Sequence, residues 1–239
     1  MRYELKYYPF ITILVPTLNE EENLAKTLKE LQKVEEKLKG VGSVPTIIVT
    51  DSGSKDSTLE IAYSNGADII ESKLGKGANI KYTLESIRSS KNKPDYLVML
   101  DADNTYPAYL IPTYIEIMEN NKDIDLIRLR RTPQPSAMSW THWIWNKSIS
   151  LFASILYQQY THDLCSGMII FNKKALNEIS ITAKGFELEA NIFIEQKRHK
   201  WKTREVKGPL YKREGLRRGI SWTQAFPIIW FLLKERFKK

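Results

Sequence analysis

The sequence predicts an α/β fold, a mostly parallel sheet flanked by helices, and three observations carry that expectation. Strand-like and helix-like segments alternate through the first hundred residues, the pattern of a parallel sheet covered by helices. Each substantial strand-like run passes into polar, turn-forming residues, and in open α/β sheets ligands bind at that edge. A length of 239 residues, 42% hydrophobic and 27% charged, suffices for one sizeable core and argues against a disordered chain.

Phe10–Val15 is an apolar, β-branched run and forms the first strand. Asn23 stands where a helix cap belongs, and Leu24, Thr27, Leu28, Leu31 and Leu38 follow it at helical spacing. Thr46–Thr50 is a second buried strand, followed by a helix from about Ser57 to Ser64. Ile69–Glu71 makes a short third strand, Asn79–Ser89 a further helix, and Tyr96–Leu100 the fourth strand. The polar segments 16–20, 51–54 and 101–103 follow the first, second and fourth strands. Converging on one edge, they suit the base and ribose, the phosphates and the metal of a single nucleotide. Asp51, Ser54, Asp56 and Ser57 serve equally well as plain helix caps.

The second half changes character. Met138–Tyr160 holds Trp140, Trp143 and Trp145 ahead of Ile149, Leu151, Phe152, Ile155, Leu156 and Tyr157, an apolar helix with aromatic residues crowded at its start. Ala225–Leu233 is another apolar run, and Lys234, Arg236, Lys238 and Lys239 follow it. Neither reaches the roughly 18–20 uninterrupted apolar residues that span a bilayer, so no transmembrane segment is expected. Trp-rich apolar faces flanked by Lys and Arg suit helices lying in a membrane interface. Core packing or a homodimer contact is the alternative.

The formal net charge of +8 is concentrated at one end, since residues 197–239 carry 14 Lys/Arg against 3 Glu. Nucleic acid, an anionic membrane surface and a phosphorylated substrate are the partners such a balance suits, beside a simple solvated face. No nucleic-acid recognition motif accompanies it. The single Cys165 excludes an intrachain disulfide and a multi-Cys zinc site, which fits a reducing, cytoplasmic setting. The start, Met1-Arg2-Tyr3-Glu4, lacks the apolar region of a signal peptide. His142, His162 and His199 show no ligand spacing and read as structural or exposed.

Asp101-Ala102-Asp103 is the most informative local feature, because it puts two carboxylates one residue apart at a strand end. Mg²⁺ or Mn²⁺ takes oxygen ligands and commonly completes its shell with water and substrate phosphates, so the pair points to nucleotide or sugar-nucleotide chemistry. An Asp-x-Asp in a solvated turn is the plainer alternative.

Four ordered motifs set this pair in a family context: Ile13-Leu14-Val15-Pro16-Thr17-Leu18-Asn19-Glu20-Glu21-Glu22-Asn23-Leu24, Val49-Thr50-Asp51-Ser52-Gly53-Ser54-Lys55-Asp56-Ser57-Thr58, Leu74-Gly75-Lys76-Gly77-Ala78 and Leu100-Asp101-Ala102-Asp103-Asn104-Thr105-Tyr106-Pro107. Together they resemble family 2 glycosyltransferases. Asn146-Lys147, Asp163 through Ser166-Gly167-Met168, Gly185-Phe186-Glu187-Leu188-Glu189, Glu205-Val206 and Arg213 make the chain most similar to the polyprenyl-phosphate sugar transferases of the dolichol-phosphate mannose synthase type. The resemblance runs from residue 10 to about 222. It implies a glycosyltransferase-A fold over residues 1–222, a basic amphipathic segment over 223–239, a nucleoside diphosphate sugar donor and a divalent cation. It places Pro16, Thr17 and Glu20 in the nucleotide pocket, with Asp51 near the base or ribose, Lys76 near it, and Ser52 and Ala102 alongside. It assigns Asp101 and Asp103 to the metal and diphosphate, Glu187 to the neighbourhood of the sugar or acceptor, and Arg213 to a phosphate. Ser52 stands where the family usually has a second Asp, and Thr105 where the mannose synthases have Gln as an extra metal ligand.

The expected reaction is inverting transfer of a hexose to a polyprenyl phosphate by an enzyme peripheral to the cytoplasmic face of a membrane. A phosphate monoester has a second pKa of about 6 and is already nucleophilic at neutral pH, so cations must position it, and Arg213, Arg217 and Arg218 are the candidates. A saccharide or small soluble acceptor in the cytosol would instead need a general base, with Glu187 first and Glu189 behind it. A nucleic-acid-binding protein is the alternative of another class, and it leaves the metal and nucleotide loops unexplained.

Overall fold

The computed structural model describes residues 8–72, 75–135, 137–215 and 222–238, with the side chains of 222–225 excepted. Arg217 and Arg218 lie outside the described residues.

Four apolar strands form the parallel half of the sheet. β1 (Phe10–Thr17) pairs in parallel with β2 (Val44–Asp51) and with β4 (Tyr96–Met99), and β2 pairs in parallel with β3 (Asp68–Glu71). Three helices cross between them: α1 (Leu24–Gly40), α2 (Thr58–Ser64) and α3 (Lys76–Ser89). β5 (Leu126–Pro133), β6 (Ile169–Asn172) and β7 (Thr203–Leu210) extend the sheet to the order β3-β2-β1-β4-β6-β5-β7. β6 is antiparallel to both of its neighbours, whereas β5 and β7 run parallel to each other. The chain moves outward from β1 through β2 to β3, then returns to the other side of β1 for β4. That reversal puts a crevice beside the carboxyl ends of β1 and β4, where open sheets bind ligands.

The core lies on both sides of the sheet. Ile11, Ile13, Val15, Val49 and Val98 pack against Leu24, Leu28, Leu31 and Leu38 of α1 and against Ile111, Ile115 and Met118 of α4 (Ile111–Asn120). Leu14, Leu97, Met99 and Ile169 face Ile80, Leu84 and Ile87 of α3, with Leu188 and Ile192 of α7 (Leu188–Arg198). A third cluster joins Ile149 and Ala153 of α5 (Trp140–Tyr157) to Phe193 of α7 and to Ile228 and Leu232 of α8 (Trp222–Phe237). α6 (Lys173–Glu178) completes the elements, seated on β4 and β6.

Several local expectations change. Asn23 occupies the N-cap position of α1, but its side chain makes no capping bond and instead donates to the Glu214 carbonyl at 3.3 Å. Ser57 likewise precedes α2 without capping it through its side chain. α3 begins at Lys76, three residues earlier than helical spacing alone suggests, because the extended Gly75 accepts from Asn79 N at 2.9 Å and starts the first turn. α5 and α8 span Trp140–Tyr157 and Trp222–Phe237, against the apolar runs 138–160 and 225–233. Among the described residues no helix is long and apolar enough to cross a membrane.

Candidate active site

The three carboxyl-end loops meet at the crevice, and hydrogen bonds knit the first two together. Asp51, fully buried, accepts from Gly53 N at 2.8 Å, Ser54 N at 2.7 Å, Ser54 Oγ at 2.5 Å and Thr17 Oγ1 at 3.0 Å. A carboxylate has about four lone-pair sites, so Asp51 is committed to shaping its loop and to fastening it to β1. Gly53 adopts φ +94° within that turn, a conformation that favours glycine. Across the gap Asn19 N donates to Ser54 Oγ at 2.7 Å, Lys55 N to Asn19 Oδ1 at 2.7 Å and Glu20 N to Thr58 Oγ1 at 2.8 Å. Ser52 receives Asn79 Nδ2 at 3.0 Å, which links the second loop to α3.

The third loop carries the charge. Thr105 donates to Asp103 Oδ1 from its hydroxyl at 2.6 Å and its amide at 3.2 Å, while Asp103 Oδ2 lies 3.5 Å from Arg213 Nη1. Burial and the neighbouring Asp101 carboxylate push the Asp103 carboxyl above its usual range, against the pull of Thr105 and Arg213. Arg213 Nη2 also meets Glu20 Oε2 at 2.6 Å, and its Nε is buried without a hydrogen-bond partner among the described residues. Asp101 Oδ1 is 2.9 Å from Lys76 Nζ, which reaches Glu189 Oε1 at 2.8 Å. Burial opposes the Lys76 ammonium, yet Asp101 and Glu189 outweigh it and hold the group well above an ordinary lysine. Lys76 thus stands on the Asp101 carboxylate.

The edge therefore gathers Thr17, Glu20, Asp51, Ser52, Lys76, Asp101, Asp103 and Arg213, with Pro16 next to last in β1 and Ala102 buried between the two aspartates. Glu187 sits just before α7, where its Oε1 accepts from Lys184 N at 2.8 Å and Gly185 N at 3.1 Å. Its visible work is to hold that turn.

Residues of the Asp163–Met168 motif, which had no assigned role in the site from sequence alone, complete the floor, together with Arg131 and Thr161, which sequence reasoning passed over. Gly167 leans on Asp101: a Cβ there would stand 1.9 Å from Asp101 Oδ2. Its amide donates to the Tyr106 hydroxyl at 2.7 Å, a group that burial drives well above the ordinary tyrosine value. Asp163 begins the same loop and takes Arg131 N, Nε and Nη2 at 3.0, 2.8 and 2.7 Å, together with Asn146 Nδ2 at 2.8 Å. His162 and Thr161 are tied to Glu205 at 2.6 Å each. Burial pushes the Cys165 thiol up to about 12, which suits an inert side chain.

The donor set fits a hard divalent cation. Asp101 and Asp103 supply carboxylate oxygens at the end of β4, and both already draw a cationic side chain to themselves. Among the described residues no group of three or more His, Cys, Asp or Glu could hold a metal ion. Two carboxylates, with the other positions left to water and substrate phosphates, is a common protein contribution to Mg²⁺.

A family model described as glycosyl transferase family 2 matches residues 12–180. The chain belongs to that family. Over 230 residues this family 2 chain is 28% identical to the low-salt glycan biosynthesis hexosyltransferase Agl6 of Haloferax volcanii, with 94% of this chain and 53% of that protein covered. It is 27% identical over 204 residues to the glycosyltransferase AglJ of the same organism, with 85% and 63% covered. The chain thus spans between half and two thirds of the length of these two relatives. The dolichyl-phosphate hexose transferase of Haloferax volcanii is 25% identical over 206 residues, with 86% of this chain and 84% of that protein covered. Among solved structures, glucosyl-3-phosphoglycerate synthase from Mycobacterium tuberculosis in complex with Mn²⁺, UDP and glucosyl-3-phosphoglycerate superposes with a TM-score of 0.71 at 19% identity, covering 95% of this chain and 80% of that one. The sheet order and this likeness give the glycosyltransferase-A fold.

Proposed function

We propose that this family 2 chain is a metal-dependent, inverting glycosyltransferase. It moves a hexose from a nucleoside diphosphate sugar of the GDP-mannose or UDP-glucose type to a polyprenyl or dolichyl phosphate at the cytoplasmic face of a membrane. One observation carries the reading: two carboxylates at the sheet's switch point, Asp101 and Asp103, are flanked by Lys76 and Arg213 at 2.9 and 3.5 Å. That is a surface of alternating charge suited to an ion and a diphosphate. The names of the dolichyl-phosphate relatives support the acceptor, and the Mn²⁺ and UDP of the solved family fold support the cation and donor.

Asp101 and Asp103 would hold Mg²⁺ or Mn²⁺, which when bound supplies Lewis-acid neutralisation of the departing diphosphate, a contribution of several kcal/mol. Thr105 holds one Asp103 oxygen and so fixes the direction of the other. Arg213, steered by Glu20, keeps a buried Nε free for a phosphate oxygen, and guanidinium groups bind phosphate bidentately. The 16–20 and 51–54 loops, locked together through Asp51 and Asn19, form a rigid wall for the nucleoside. A dianionic phosphate acceptor needs no proton removed, so Glu187 serves by holding the 184–185 turn.

Purified protein incubated with Mn²⁺ or Mg²⁺, radiolabelled nucleotide sugars and short polyprenyl phosphates should carry label into the organic phase. Asp103→Ala should lower that transfer roughly a thousandfold with an unchanged circular dichroism spectrum. Near wild-type transfer in this variant overturns the metal site. Label that stays in the aqueous phase on a saccharide assigns a soluble acceptor, with Glu187 as its base.

A further inference from the structure

Lys76 is built into the site rather than resting on it. The flanking Gly75 and Gly77 let the start of α3 press against the backbone ahead of α7: a Cβ on Gly75 would lie 2.5 Å from the Lys184 carbonyl oxygen, and one on Gly77 2.5 Å from that of Ala183. Ala78 N donates to the same Lys184 oxygen at 3.2 Å. This contact carries Lys76 to Glu189, a first-turn residue of α7 that is only 7% exposed. The ammonium divides itself between Glu189 at 2.8 Å and Asp101 at 2.9 Å. We propose that Lys76 is a resident counter-cation of the diphosphate site, which must leave Asp101 for a divalent ion to bind, and that Glu189 is a positioning residue that keeps it tethered meanwhile.

The physical logic is one of exchange, and it rests on the reading of Asp101 and Asp103 as the ion's ligands. An ammonium and a divalent ion on one carboxylate repel each other, and at this depth the repulsion is weakly screened. Lys76 therefore competes with the ion for Asp101. A buried ammonium stripped of its only partner is strongly destabilising, and Glu189 removes that penalty by retaining Lys76 after Asp101 is given up. The donors that Lys76 frees then become available to a diphosphate. Lys76 thereby offsets part of the carboxylate charge of the site before the donor arrives, and the site favours an ion that comes with a diphosphate over the ion alone.

Mn²⁺ binding followed by the electron paramagnetic resonance of the free ion, without nucleotide or turnover, tests this. Lys76→Met should bind Mn²⁺ about tenfold tighter than the wild type, a change of about 1.4 kcal/mol. Glu189→Gln should bind it several-fold more weakly, because Lys76 then has only Asp101. The double variant should resemble Lys76→Met. Damage to the fold would weaken binding in both single variants, so the opposed signs separate exchange from scaffolding. Lys76→Gln provides a second test of the first sign, and melting curves check each variant. Equal or weaker Mn²⁺ binding in both Lys76 variants overturns the proposal. If the wild type binds Mn²⁺ with added UDP or GDP while the Lys76 variants show unchanged nucleotide-free affinity, this inference alone falls. If no protein binds Mn²⁺ even with nucleotide, the metal reading falls with it.

Discussion

Asp163 is 2% exposed and still held as a carboxylate. Burial raises its pKa, but the Arg131 guanidinium and the Arg131 and Asn146 hydrogen bonds outweigh that and bring it below the ordinary value of 3.8. A carboxyl whose folded pKa is depressed adds stability that is complete above its unfolded pKa and is lost as pH falls through the folded one. Acid unfolding of the wild type should therefore steepen below about pH 4, and Asp163→Asn should flatten that limb. Removing one partner of a buried pair strands the other, at a cost of about 3–5 kcal/mol. Asp163→Ala should accordingly lose stability on that scale in urea melts at neutral pH. A loss below about 1 kcal/mol would mean that water, not Asp163, satisfies Arg131.

At the scale of elements, the site depends on how closely the 163–167 loop approaches the end of β4. Gly167→Ala would set a methyl 1.9 Å from Asp101 Oδ2, so the Asp101 carboxylate has to turn away from its present position. Nucleotide binding with Mn²⁺ should fall at least tenfold by calorimetry, a loss of about 1.4 kcal/mol, while melting temperature changes little. Unaltered affinity would show that Asp101 can rotate without consequence. This contact was invisible in the sequence, since nothing about a glycine names the distant residue it touches. β1 to β4 were legible because their apolar, β-branched runs are what a buried parallel strand requires. β5 and β7 were not: Arg128, Arg130 and Arg131 interrupt the first, and Arg204, Glu205 and Lys207 interrupt the second. Arg131 has its partner in Asp163, and β7 is an edge strand where charge is tolerated. The same limit applies to the carboxyl edge, where residue type and spacing marked Asp101 and Asp103 and the family resemblance marked Glu20 and Arg213, but the pairing of Lys76 with Glu189 depends on packing between α3 and α7.

At the scale of the whole molecule, α5 and α8 form one outward face. They pack together, with the Tyr157 hydroxyl donating to the Leu232 carbonyl at 2.8 Å and Arg236 Nε to that of Leu156 at 3.1 Å. Opposite the buried Ile149, Ala153 and Tyr157, α5 exposes Trp140 (73%), Ile144, Leu151 and Ile155 (70%), residues that fall along one helical stripe. α8 exposes Phe226, Trp230 and Phe237 in the same manner, with Lys234, Arg236 and Lys238 near them. A stripe of large apolar residues bordered by cations suits the interface of an anionic bilayer, which is also where a polyprenyl phosphate would present its headgroup. On the proposed function, then, the protein should float with vesicles containing anionic lipid and remain behind with neutral ones at physiological salt. Trp140→Ser with Trp230→Ser should reduce flotation at least fivefold, while Mn²⁺ and nucleotide binding stay unchanged because neither residue belongs to the carboxyl edge of the sheet. Wild-type protein that ignores vesicles but sediments as a dimer, and becomes monomeric in the double variant, would assign the face to a second copy of the chain. Apolar burial drives both outcomes, and the cations at the border favour the bilayer on the proposed function, since a symmetric pairing would bring like charges together.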